Sequence, residues 1–335
     1  MKYIGLDAHS SSCTFCVMDE HGVEIECVTL ETNGRVLVDY IRSIEGKKKL
    51  AFEESELSGW LYEILSPEVD ETIVCNPAAN RDYKRNKNDK IDARRITKLL
   101  MGGFLSSVYH DGSERELFRS LMSGYQDLVQ EAVRMKNRLK SLFRKSGKKV
   151  TGTKLYSDES FLEGLKRSDF RFIGKQTYHL LEEMDKSREE YLSEIKRCSR
   201  KFKEIKYLVS IPGIGEIQAA KIVAQVIDPR RFANKYKFYS YCGLVRHKRI
   251  SGGELYGSVK IWGNRTLKCV YKMAGHSALT GNSGLKRYYD NLRSKGVSDK
   301  NAYNAVCRKI AAISLSVWKK ERSYNDKLVT SDLIK

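Results

Sequence analysis

Four carboxylates stand out for the chemistry their spacing allows: Asp7, Glu53, Asp89 and Asp92. Oxygen ligands of this kind hold hard divalent cations such as Mg2+, and two such ions about 4 Å apart stabilise the attacking and leaving oxygens of phosphoryl transfer. Asp89 and Asp92 are three residues apart in a helical stretch, 88–100, so both project from one face. Asp7 and Glu53 close two short apolar runs, 3–7 and 50–53. Each acid alone reads as an ordinary cap or helix-dipole partner. As an ordered set they read as a metal site, with Glu54 as the alternate to Glu53. His9, beside Asp7, reads as a hydrogen-bonding neighbour and stays outside the set. The second candidate is Ser251, because Gly252 and Gly253 after it would let a backbone phosphate approach its hydroxyl. A serine is a weak nucleophile without a base or metal, and no His–Asp pair is close in sequence. Spacing alone favours a turn serine there.

The elements that must position the acids follow from the hydrophobic pattern. Residues 3–7, 13–18 and 23–30 read as an antiparallel meander with a turn at 19–22. Thr32-Asn33-Gly34 caps a helix carrying Val36, Leu37, Tyr40 and Ile41, and Leu50-Ala51-Phe52 forms a fourth strand. A helix through Leu57, Trp60, Leu61 and Ile64 leads to a fifth strand at 72–75. This βββαβαβ succession is that of a ribonuclease-H-like sheet, which carries metal-binding acids on its first strand and at the end of its fourth. Residues 4–11 also resemble the first phosphate loop of sugar-kinase and actin-like ATPases, but Ala8 and His9 stand where that loop has glycines.

Beyond this α/β part the chain reads as mainly helical. Leu117, Leu121, Tyr125, Leu128, Ala132, Met135, Leu139 and Leu142 form one heptad-like seam, and Leu181 through Ile205 a second, with Arg188 at one of its positions. The stretch 143–176, with Gly147, Gly152, Gly164 and Gly174, reads as an interruption, giving an antiparallel helix pair or an intersubunit coiled coil. Pro212-Gly213-Ile214-Gly215 ahead of an apolar helix reads as a helix-hairpin-helix turn whose backbone N–H groups could hold a phosphate.

Charge points to the partner. The 335 residues carry 61 Lys and Arg against 42 Asp and Glu, a net charge of +19, so a polyanion comes first and nucleic acid leads. Nine of the cations (Arg134, Lys136, Arg138, Lys140, Arg144, Lys145, Lys148, Lys149 and Lys154) fall in one stretch without an acid. Arg246, Lys248, Arg249, Lys260 and Arg265 form a second group, interleaved with Tyr256 and Trp262. No run approaches the roughly 18 apolar residues of a membrane span, and Asp7 interrupts any signal-peptide core, so a cytoplasmic protein is expected. The 8 cysteines are scattered through apolar stretches. Cys13 and Cys16 lack the second pair a zinc site needs and read as reduced structural thiols.

Taken in order, Ile4-Gly5-Leu6-Asp7, Phe52-Glu53, Val74-Cys75-Asn76-Pro77, Lys87 to Ala93, Pro212-Gly213-Ile214-Gly215, Gly243-Leu244-Val245, Ser251-Gly252-Gly253 and Gly263-Asn264-Arg265 resemble the Piv-like DEDD transposases of the insertion-sequence-110 class. The resemblance spans nearly the whole chain. It implies a RuvC-like domain over 1–110, a helical coiled-coil linker over 111–206, and a carboxyl-terminal transposase domain over 207–335. It further implies a recombinase that cuts and rejoins DNA, uses Mg2+ at Asp7, Glu53, Asp89 and Asp92, and forms a phosphoserine link through Ser251. A structured bridge RNA would select donor and target DNA, and the protein would act as a dimer or tetramer at the nucleoid. Glu54 and Ser258 remain the alternates, and Arg246 stands where the family pattern has proline. Two other readings stay open: a RuvC-like nuclease using metal-activated water, and a non-catalytic nucleic-acid-binding protein.

Overall fold

The computed structural model describes residues 1–77, 88–260 and 263–326. Two compact units, Met1–Ser113 and Glu114–Lys335, divide the chain.

The first unit contains β1 (Lys2–Ala8), β2 (Ser12–Met18), β3 (Glu24–Glu31), α1 (Gly34–Ser43), β4 (Lys48–Glu53), α2 (Ser58–Leu65), β5 (Glu71–Cys75), α3 (Asp89–Met101) and β6 (Ser107–Val108). The expected βββαβαβ succession is present. The sheet runs β3-β2-β1-β4-β5-β6. β2 runs antiparallel to both of its neighbours, β1 and β3, whereas β4 lies parallel to β1 and β5 parallel to β4. β6 adds an antiparallel edge strand that is too short for periodicity to reveal.

Alternation along the strands sorts side chains between two layers. Ile4, Leu6, Leu50 and Phe52 are fully buried with Leu37, Ile41, Leu61 and Leu65 of α1 and α2. Each contributes roughly 1.5–3 kcal/mol by leaving water. Ala51 packs on the other face against Ile96 and Leu100 of α3. Cys13 joins the first layer and Cys16 the second, so the two thiols face opposite sides of the sheet.

The second unit begins with α4 (Glu114–Lys145), followed by a short helix α5 (Lys154–Ser157) and α6 (Ser168–Ser199). Gly124 of α4 faces Tyr191 of α6 while Gly174 faces Leu142, so the two long helices pack antiparallel within one chain. Three details of the sequence reading change. Gly174 lies inside α6, buried against Leu142, Leu162 and Leu165, because its missing side chain lets that layer close. The second seam also stops at Ser199, and Phe202 and Ile205 belong to the following core. Arg188 is half-exposed beside Glu189 rather than inside the seam. Phe118, Met122, Tyr125 and Ile195 join that same large core, whereas Leu139, Leu142, Tyr178 and Leu181 form a separate one with Leu155 and Leu162.

The remainder comprises α7 (Glu204–Val209), α8 (Glu216–Val226), α9 (Lys235–Tyr241), the hairpin β7 (Arg246–Ser251) and β8 (Glu254–Lys260), α10 (Arg265–Thr280), α11 (Gly284–Ser294) and α12 (Asp299–Lys319). The helices enclose a core around Tyr271, whose hydroxyl is satisfied by Ser314 at 2.8 Å. Among the described residues no helix is long and apolar enough to cross a membrane.

Candidate metal centre and serine hairpin

Parallel pairing of β1 with β4 brings Leu6 opposite Phe52, which leaves Asp7 and Glu53 next along neighbouring strands. Each shares the α3 side of the sheet with the residue two before it, Gly5 and Ala51 respectively. Gly5 decides how close α3 can come. A β-carbon there would lie 2.4 Å from the Ala93 carbonyl oxygen and 2.4 Å from Thr97 Oγ1, so only glycine admits the helix at this distance. Thr97, fully buried, donates to Ala93 O at 2.8 Å or to Cys16 O at 3.1 Å. Asn88 caps α3, accepting from Lys90 N at 3.0 Å, and the first turn presents Asp89 and Asp92.

The four predicted acids therefore lie near enough to feel one another's charge, Asp7 with Asp89 and Asp92, and Glu53 with Asp7 and Asp92. Burial raises the Asp7 carboxyl above its ordinary pKa; His9 opposes the rise, and Asp92 and Asp89 add to it. Burial likewise raises Glu53, against the pull of Arg95 and with further upward pressure from Asp7 and Asp92. Mutual repulsion of this kind is expected of carboxylates gathered without a cation, and a divalent ion would relieve it. Asp7, His9 and Asp89 each offer a donor atom within 4.8 Å of the other two, a donor set that fits a divalent ion.

Glu53 and Glu54 point to different surroundings. Glu53 Oε1 accepts from Arg95 Nη2 at 3.0 Å, and the same guanidinium lies 3.6 Å from Asp92 Oδ1. Glu54 instead pairs with the buried His110 at 2.6 Å, whose ring stacks near Tyr62. Arg95 escapes the sequence reading, and His9, read there as a hydrogen-bonding neighbour of Asp7, lies against Asp89 as well. His9 had one available signal: with Asp7 it forms an i, i+2 pair at a strand end, which shares a face.

Ser251 occupies a different setting. It ends β7, pairs with Glu254 of β8, and adjoins the two-residue turn Gly252-Gly253, both at positive φ. A Gly-Gly turn between short strands is a hairpin signal, so the expected turn serine sits at the tip of a ribbon. Both strands are exposed along their described side chains, with Ile250 and Leu255 bare. A bulge between Arg249 and Ile250 leaves Tyr256 as the extra residue, 64% exposed. Among the described residues the Ser251 hydroxyl has no hydrogen bond. Ser258 lies farther down the ribbon opposite Lys248, its carbonyl accepting from Arg246 at 3.1 Å. Ile261, Trp262 and Lys87 lie outside the described residues, as does the side chain of Lys260.

The base of the ribbon is clamped. A β-carbon on Gly263 would meet Gly243 N at 2.6 Å and Cα at 2.7 Å, so the two motif glycines pack backbone to backbone. Asn264 caps α10 through Leu267 N, donates to Gln225 Oε1 at 2.5 Å, and its own N–H bonds Tyr241 O at 2.7 Å. Arg265 follows it, exposed. Gly213 also serves packing: its β-carbon would lie 2.2 Å from Ala274 O of α10. The N–H of Gly215 is already taken by Gln218 Oε1 at 2.8 Å, an intrahelical capping contact.

The cationic stretch of α4 divides as well. Lys140, Arg144, Lys148 and Lys149 line one cleft of about 450 Å³ with Gly147 and Val150. Lys136 and Lys140 sit over the Tyr156 ring at 5.5 and 5.6 Å. Arg134 is paired to Glu131, and Arg138 lies against Met135 Sδ.

Comparison with known proteins matches both units. Residues 4–146 fit a DEDD-type family described as "Transposase", and residues 205–290 fit the "Transposase IS116/IS110/IS902 family". The transposase for insertion sequence element IS1111A of Coxiella burnetii is 21% identical over 322 residues, covering 93% of this chain and 86% of that protein. An uncharacterized protein of insertion element IS110 from Streptomyces coelicolor is 25% identical over 122 residues, covering 36% of this chain and 30% of that protein.

Proposed function

This chain belongs to the IS110 class of transposases, enzymes that act on DNA, and on that premise we propose that it cuts and rejoins DNA strands through the carboxylates of its first unit and Ser251 of its second. The observation that carries the reading is the convergence of Asp7, Glu53, Asp89 and Asp92 on one edge of a ribonuclease-H-like, RuvC-type sheet, inside a chain of net charge +19. So acidic a cluster in so basic a protein suits a cation bound beside a polyanion.

Asp7, Asp89 and Asp92 hold Mg2+, together with Glu53 in preference to Glu54, whose carboxylate His110 occupies. Bound there, Mg2+ would supply charge neutralisation at the scissile phosphate and would make an attacking hydroxyl more acidic. Ser251 Oγ attacks phosphorus and displaces a DNA hydroxyl, forming a phosphoserine link. Attack by a second DNA hydroxyl restores the serine and rejoins the strand, so no nucleotide hydrolysis is needed. The cationic cleft at the end of α4, the ribbon cations Arg246, Lys248, Arg249 and Lys260, and Arg265 at the start of α10 hold phosphates. Within this reading the divisions are 1–110, 111–206 and 207–335. A bridge RNA selects the DNA sites by base pairing, and the protein works at the nucleoid as a dimer or tetramer.

One observation favours a second reading, hydrolysis by metal-activated water: among the described residues no side chain is hydrogen-bonded to the Ser251 hydroxyl to take its proton. Denaturing gels of labelled DNA separate the two. A protein–DNA adduct that survives denaturation and disappears in Ser251→Ala supports the phosphoserine route. Cut DNA with no attached protein in the wild type supports hydrolysis, and an adduct of normal yield in Ser251→Ala moves the nucleophile elsewhere, Ser258 first.

A further inference from the structure

His9 leaves the end of β1 with its backbone held on both sides. Its N–H donates to Ser12 O at 2.9 Å, and its carbonyl accepts from Thr32 Oγ1 at 2.7 Å. That double anchorage fixes the direction in which the imidazole departs. Although the side chain is 55% exposed and open to water, Nε2 lies 3.4 Å from Asp7 Oδ2 and 3.8 Å from Asp89 Oδ1. Ligands bound to one ion at about 2.1 Å are about 3 Å apart when adjacent and about 4.2 Å apart when opposite. Three donors already within 4.8 Å of one another need only small rotations to share an ion.

We propose that His9 is a nitrogen ligand of the ion held by Asp7 and Asp89, and that it gives the centre a preference for Mn2+ over Mg2+. The inference rests on the metal-centre reading above. An all-oxygen set suits Mg2+, which keeps several waters and gains little from an imidazole. First-row transition ions accept nitrogen readily, so one imidazole among carboxylates shifts the balance toward them. Arg95 differs in kind. Both side chains sit between two acids, but a guanidinium has no lone pair to donate and can only balance charge, whereas a neutral imidazole can bind the ion.

The test uses the full-length protein with Mn2+ alone and Mg2+ alone, measured by calorimetry, and pulsed electron paramagnetic resonance of the bound Mn2+. The expected result is tighter binding of Mn2+ than of Mg2+ and an imidazole nitrogen coupling on the bound ion. His9→Ala should abolish that coupling and weaken Mn2+ on the order of ten-fold or more, the scale of losses in metal-site partners, with a smaller change for Mg2+. His9→Asp should restore divalent binding without the coupling and narrow the gap between the two ions. The coupling is read on the wild type, so the test does not hang on how a variant folds. Wild-type Mn2+ without nitrogen coupling, or equal weakening of both ions in His9→Ala, overturns the role of His9 and leaves the metal centre standing. Failure of the wild type to bind either ion overturns both.

Discussion

The acidic edge of the sheet and the serine ribbon differ in what holds them. Asp7 and Glu53 extend from strands whose preceding residues, Leu6 and Phe52, are fully buried, and α3 is seated by Gly5 and Thr97. The ribbon projects Ser251 from strands exposed along their length and is secured at its base by Gly243, Gly263 and Asn264. The first region is shaped by the protein's own core, so it is organised before any partner arrives. The second offers cations, bare apolar side chains and a hydroxyl to whatever lies against it, and a nucleic-acid partner would complete its surroundings. Preorganised charge at one region and an adaptable carrier at the other suit a reaction in which the electrostatics stay fixed while strands are exchanged.

The largest effect expected from breaking this contrast is on activity. Asp7→Asn should lower divalent-ion-dependent strand exchange by about two orders of magnitude or more, the scale seen when a positioned charged or polar group is removed. DNA binding should survive, because the cations proposed to hold phosphates are elsewhere; a gel assay with and without EDTA reads both. Next, Gly5→Ala should destabilise the protein by roughly 1–3 kcal/mol, as overpacking does, and weaken ion binding by displacing α3. Gly253→Ala, with no atom within 4 Å of the added carbon, should cost about 1–2 kcal/mol from its positive φ and leave ion binding untouched. Denaturant melts and ion titrations of the two variants compare a core-backed glycine with a ribbon glycine.

Smaller effects sharpen the ribbon side. Lys248→Ala and Arg249→Ala should each change stability by less than about 0.5 kcal/mol, being exposed. Each should also lower the slope of log affinity against log salt for DNA by about 0.9 for every phosphate that the missing cation no longer neutralises. An unchanged slope would remove these residues from the interface. The smallest effect concerns pH. The Asp7 and Glu53 carboxyls are both raised in the folded chain, so their contribution to stability is full below the ordinary carboxylate range and is lost as pH rises through the raised values. At neutral pH, without divalent ions, Asp7→Asn should therefore melt slightly above the wild type. The difference should vanish in acid, and saturating divalent ion should reverse it.

Much of this is legible in the residues because the first unit obeys simple periodicities. Strands beginning or ending at Tyr3, Met18, Leu30, Phe52 and Cys75 lie within a residue or two of where alternation places them, and the convergence of the acids follows from strand order and helix spacing. The β7–β8 ribbon is poorly announced by hydrophobic alternation because neither face is buried, which leaves the Gly-Gly turn as its main signal. The helix run through Gly174 is hidden because glycine punctuates most sequences, whereas here it makes room for Leu162 and Leu165. Arg95 stays out of reach because its pairing with Glu53 joins two elements, and the contact of His9 with Asp89 does the same, which no local pattern records.

The central claim is that the acids of the first unit form one divalent-ion centre. The most direct measurement is anomalous diffraction from crystals of the full-length protein grown with Mn2+. The account predicts an anomalous peak in contact with Asp7 and Asp89. Well-ordered carboxylates with no peak between them, at Mn2+ concentrations that support strand exchange, would contradict it.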